Sequence, residues 1–72
     1  MTEKGFRLNK QYILILITDR GWSKSKFAIL LNMSSSPVYM WFNGSRPDSI
    51  VLMRGIVRLF PDEPLDKLFI RD

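Results

Sequence analysis

From Ser23 onward the apolar positions follow a helical rhythm. Phe27, Leu30 and Leu31 recur at i, i+3 and i+4 behind Ser23, whose hydroxyl suits the free N–H groups of a first helical turn. Asn32 and Met33 interrupt the rhythm as a turn. Ser34 then heads a second short helix that tolerates Pro37 in its first turn, where an absent N–H has no partner to lose, and Gly44 ends it in the left-handed position. In that helix Val38, Trp41 and Phe42 fall on one side, and Ser35, Ser36, Tyr39, Met40 and Asn43 on the other. The first set reads as core and the second as an outward face.

Before this pair lies a segment from Leu8 or Asn9 to Arg20, closed by Gly21, whose stretch Tyr12 to Ile17 is an unbroken apolar run rich in β-branched residues. Periodicity alone leaves that run open between a helix and a buried strand. The run VYMWF before Asn43-Gly44 raises the same question, but no second strand follows to complete a hairpin, so it reads as helix. After Arg46-Pro47, with Asp48 or Ser49 as cap, a helix runs from Ile50 to Phe60. Ile50, Met53, Val57 and Phe60 form one of its stripes, and Leu52, Ile56 and Leu59 a neighbouring one. Gly55 costs about 1 kcal/mol relative to alanine and suits a close helix contact. Pro61 stops this helix, and Pro64 starts a short fifth one with Leu65, Leu68 and Phe69 docking back. Residues 1 to 7 read as a frayed arm.

The segment from Ser23 to Gly44 resembles the helix-turn-helix domains of the Cro and phage-repressor type. The residues that carry the likeness are Ser23 with Lys24, Ala28 where the two helices touch, Met33-Ser34 leaving the turn, Val38, Trp41, Asn43-Gly44, and Pro47 before the next helix. The likeness spans about residues 8 to 70, and the turn position that family members usually give to glycine is Asn32, which tolerates the left-handed conformation. It implies an all-α, lambda-repressor-like domain of four or five helices covering residues 1–72, with the helix-turn-helix at 23–44. It also decides the first segment for helix. Ile13 to Ile17 then surround that helix axis, so some of them face something besides the core: Phe6, Phe69 or Ile70 of the chain's own ends, or a partner protein.

Composition narrows the function. Seventy-two residues with 46% apolar content allow one small core. Cysteine and histidine are both absent, which removes the usual metal ligands, thiol nucleophiles and neutral-pH proton carriers, so neither an enzyme nor a metal or cofactor site is expected. Asp62, Glu63 and Asp66 read as helix-start acids. YILILI is too short to span a bilayer or to form a signal core, and a cytoplasmic chain without a membrane or small-molecule partner is expected. Net charge is +4 and uneven: residues 1 to 60 hold nine Lys and Arg against three acids, and residues 61 to 72 hold two against four. A basic body suits a polyanion, and equally it aids solubility.

For the outward face the resemblance implies operator DNA as partner. Base-edge contacts would come from Ser35, Ser36 and Met40, and backbone contacts from Lys24, Tyr39, Asn43 and Arg46, with a homodimer on a palindromic site. The chemistry of the face is unusual for that task, since no charged residue occurs between Lys26 and Arg46, and paired donors and acceptors for guanine or adenine are scarce. An exposed Tyr39-Met40 pair beside Ser36 and Asn43 equally suits a protein partner. Small size and an apolar outward face are more loosely similar to the modulator-of-repression proteins of temperate phages, which implies a cognate repressor as partner. A purely structural or toxin-antitoxin interaction module is a third class.

Overall fold

The computed structural model describes residues 6–71, and for residues 7–70 it describes side-chain burial. Among these, the chain runs β1 (Phe6–Leu8), α1 (Lys10–Asp19), α2 (Lys24–Leu30), α3 (Ser35–Phe42), α4 (Ile50–Leu59), α5 (Leu65–Leu68) and β2 (Phe69–Arg71). Helices make up most of it, as expected of an all-α chain.

Local chemistry accounts for the helix ends. Asn9 Oδ1 accepts from the Tyr12 N–H at 3.2 Å, Ser23 Oγ from Lys26 at 3.0 Å and Ser49 Oγ from Leu52 at 3.1 Å, so α1, α2 and α4 each start on a side-chain cap. Ser34 sits at the corresponding place before α3, but its side chain makes no capping bond. At their other ends α1, α2 and α3 close in the same way. The N–H groups of Trp22, Met33 and Ser45 donate back to Ile17, Ala28 and Met40 at 2.9, 2.9 and 2.8 Å. This closure needs a left-handed residue in between, supplied by Gly21, Asn32 (φ 59°) and Gly44 (φ 87°).

The core is one cluster drawn from every helix. Ile13, Leu16 and Ile17 of α1 meet Phe27 and Ala28 of α2, Val38 and Trp41 of α3, Leu52 and Ile56 of α4, Phe60 and Leu68. Phe27 is fully buried and stacks on Phe60 at 6.4 Å, and Trp22, between α1 and α2, stacks on the same Phe60 ring at 6.0 Å. Within α2 the buried positions are Phe27 and Ala28, followed by Leu31, while Leu30, expected in the stripe, is 37% exposed. The smaller Ala28 lies inward, 1% exposed, within the core cluster. Gly55 works similarly on α4: a Cβ there would lie 2.8 Å from Leu31 Cδ2, so the bare backbone lets α4 seat against the end of α2.

One feature departs from the expected arm. Phe6–Leu8 pairs antiparallel with Phe69–Arg71, Leu8 opposite Phe69, in a two-stranded ribbon that joins the two ends of the described chain. Residues 6 and 7 are therefore strand, and the rest of the expected arm lies outside the described residues. Leu8 is 2% exposed and the Asn9 N–H donates to Leu68 O at 2.8 Å, which fixes the start of α1 against α5. The fifth helix is a single turn, from which Leu68 enters the core and Leu65 does not. Leu14 and Ile15 of α1 remain exposed, so the ribbon leaves part of the apolar excess of that helix uncovered. No helix among the described residues is long and apolar enough to cross a membrane.

Candidate interface on the third helix

The turn from Leu31 to Ser34 sets α3 against α2, and two anchors fix how α3 is rolled about its axis. Val38 is fully buried and Trp41 nearly so, which turns the opposite side of the helix outward. The Trp41 indole N–H then donates to Asp48 Oδ1 at 2.6 Å, and the second carboxylate oxygen accepts from the Leu8 N–H at 2.7 Å. Asp48 thus joins α3 to β1 through one side chain, and Ser49, not Asp48, caps α4.

With the roll fixed, Ser35, Ser36, Tyr39, Met40 and Asn43 are all exposed. At 100° per residue they occupy about 140° of the circumference of α3, which makes one continuous face. Tyr39 is 45% and Met40 44% exposed, large apolar areas for so small a surface. The Tyr39 hydroxyl lies 2.9 Å from Ser25 Oγ on α2, so the ring is held in place, and part of its hydrogen-bonding capacity is already used. Asn43 spends its side-chain oxygen on the Ser45 N–H at 2.9 Å and acts as a turn-former as much as a contact residue.

Cations lie close to α3. Lys24, half-buried, holds its ammonium 5.2 Å from the centre of the Phe42 ring. Arg46, just after α3, lines a groove of about 600 Å³ together with Arg7 and Lys10. Lys10 Nζ stands 5.3 Å from the centre of the Trp41 ring, on the indole that Asp48 anchors. Asp48 also lines this groove, its carboxylate already accepting two N–H groups. Of the residues expected from the sequence, Ser35, Ser36, Tyr39, Met40 and Asn43 come together on α3, while Lys24 stands against Phe42 and Arg46 lines the groove with Arg7 and Lys10. Lys10 and Ser25 belong to the same region and were not among the expected residues. Lys10 lies 36 positions before Arg46 in the chain, and tertiary contacts, among them the ribbon and the Asp48 anchor, bring the two segments to one groove.

Among the described residues no group of three or more His, Cys, Asp or Glu stands close enough to hold a metal ion. The outward face of α3 carries hydroxyls, a phenol, a thioether and an amide. Comparison of the chain with protein-family models, with curated proteins and with solved structures finds no match.

Proposed function

We propose that this chain is a small helix-turn-helix regulator of transcription, of the kind found in phage-type genetic switches, acting in the cytoplasm. In this reading α2 and α3 are the scaffold and recognition helices. The outward face of α3 enters the major groove of operator DNA, with Ser35, Ser36 and Met40 at base edges and Tyr39 and Asn43 beside the backbone. Lys24 and Arg46 hold phosphates, and Lys10, which lines a groove with Arg46, adds to them. The observation that carries the reading is that one rolled and anchored helix presents its five predicted residues together, with Lys24 against Phe42 of the same helix and Arg46 just beyond its end.

A second reading has its own observation. The centre of the face has no charged group, and it exposes Tyr39 and Met40 side by side. Aromatic and thioether side chains of this kind dominate the centres of protein interfaces. In this alternative the chain is an antirepressor that lays α3 on the DNA-reading surface of a cognate repressor. Titration against duplex DNA from the chain's own upstream region, beside a scrambled duplex, separates the two.

A further inference from the structure

The groove beside Asp48 is built where separate parts of the chain meet. β1 contributes Arg7 and Leu8 to its lining, α1 contributes Lys10, the turn after α3 contributes Arg46 and Asp48, and α4 contributes Met53. Its volume of about 600 Å³ falls within the range of small-molecule sites, about 300–1,000 Å³. The face of α3 lies outside it, since none of Ser35, Ser36, Tyr39, Met40 and Asn43 is a lining residue.

Two cations of this groove stand without an acid. Lys10 is half-buried, and its ammonium lies 5.3 Å from the centre of the Trp41 ring. Arg46 is exposed on the turn. Among the described residues neither has a carboxylate as ion-pair partner. The acid of the lining is Asp48, and each of its oxygens already accepts an N–H, one from the Trp41 indole at 2.6 Å and one from Leu8 at 2.7 Å. A cation partly withdrawn from water gains more from a counter-anion than a fully solvated one does. A guanidinium adds a planar fork of N–H donors that matches two oxygens of one anion. The rest of the lining is largely apolar, with Leu8 buried, Met53 half-buried and Pro47 exposed beside the cations. A thioether next to open space suits contact with a ring.

We propose that this groove binds a phosphomonoester carried on a ring, of the nucleoside monophosphate class, with its phosphate met by Lys10 and Arg46 and its ring against Met53 and Pro47. A phosphomonoester has close to two negative charges at neutral pH and three terminal oxygens, which suits two cations that share no acid. A single carboxylate leaves one of those charges unmatched, and a neutral ring leaves both. In the proposed function the same two cations serve duplex phosphates, so ligand and duplex exclude each other at this groove. The site itself stands whichever partner α3 meets.

The test is titration of the isotope-labelled chain with adenosine monophosphate, inorganic phosphate and adenosine, followed by two-dimensional NMR and by calorimetry at pH about 7.5, where the phosphate is mostly doubly charged. The indole N–H of Trp41, bonded to Asp48 of the groove, is the reporter, and that of Trp22, which does not line it, is the internal control. The expected result is saturable binding of adenosine monophosphate with a dissociation constant of about 0.1–1 mM, weaker binding of phosphate and none of adenosine. The Trp41 resonance should move and the Trp22 resonance should not. Lys10→Gln and Arg46→Gln should each weaken binding more than about fivefold, whereas Lys26→Gln, exposed on α2, should leave it unchanged. Circular dichroism verifies that the variants fold, and Arg46, exposed on a turn, keeps the test open if Lys10→Gln does not. Adenosine or phosphate binding as tightly as the monophosphate, an equal loss in Lys26→Gln, or a Trp41 resonance that stays in place up to about 10 mM of the monophosphate overturns the proposal.

Discussion

The indole N–H of Trp41 donates to Asp48 at 2.6 Å, and through that carboxylate α3 is tied to the backbone of Leu8. Trp41 is 1% exposed, so in the intact fold its N–H depends on Asp48 as acceptor. Truncation of Asp48 to alanine leaves two N–H groups without their partners, and each such loss costs about 1–3 kcal/mol. Asp48→Ala is expected to lower the urea midpoint accordingly without changing the slope. Asp48→Asn, whose single carbonyl oxygen replaces one acceptor of the two, should fall between the variant and the wild type. Because Asp48 also sets the roll of α3, the alanine variant should lose partner binding even under conditions where it is folded.

A second prediction concerns pH. The phenol of Tyr12 donates to Glu63, and that hydrogen bond, with partial burial and the negative charge of Glu63 adding to it, raises the Tyr12 pKa above its ordinary value of 10.0, while Arg20 acts in the opposite sense. A raised pKa in the folded state means that the stabilisation is fully present below the ordinary tyrosine value and is lost as pH rises through the raised one. Urea unfolding compared at pH about 8 and about 11 should show a larger loss for the wild type than for Tyr12→Phe, which lacks the ionisable group. Equal losses would remove the Tyr12–Glu63 bond from the account.

Gly55 gives a third. A methyl group at this position would press on the mobile end of the Leu31 side chain at 2.8 Å, but it also removes a glycine from a helix interior, worth about 1 kcal/mol. The two effects oppose, and Gly55→Ala is expected to change stability by less than about 1 kcal/mol. Gly55→Val cannot be accommodated by rotation of Leu31 alone and should cost about 1–3 kcal/mol, read by thermal or urea denaturation.

The face of α3 supplies a fourth. If it meets a protein, Tyr39→Ala and Met40→Ala should each weaken that binding by more than about 1 kcal/mol. Losses confined to DNA binding exclude the antirepressor reading. Arg46→Ala should weaken DNA binding about equally on every sequence and flatten its salt dependence, as expected for a phosphate contact. An unchanged salt slope would remove Arg46 from that role.

What the sequence made legible was mostly local. Ser23, Asn32, Gly44 and Pro61 act within a few residues of themselves, and their steric and capping preferences need no tertiary information. The inward and outward sides of α3 followed from helical spacing for the same reason. Helix α1 was harder, because the run Tyr12 to Ile17 carries no period of its own, and only packing selects Ile13, Leu16 and Ile17 as its buried side. The ribbon was not legible: its strands are three residues each and lie about sixty positions apart, so no local signal predicts their pairing. Asp48 reads in sequence as an ordinary helix-start acid, and its bond to Trp41 depends on a turn that only the folded chain defines. Lys10 was missed for the same cause, since its place beside Arg46 arises from nonlocal contacts.

The central claim, that the face of α3 reads DNA, is tested most directly by fluorescence-anisotropy titration of the purified chain against labelled duplex from its own upstream region. The titration is repeated with a scrambled duplex and at two salt concentrations. The account predicts binding at least about tenfold tighter to the native duplex, with affinity falling steeply as salt rises. Weak and equal binding to both duplexes would contradict it, and would direct the face of α3 to a protein partner instead.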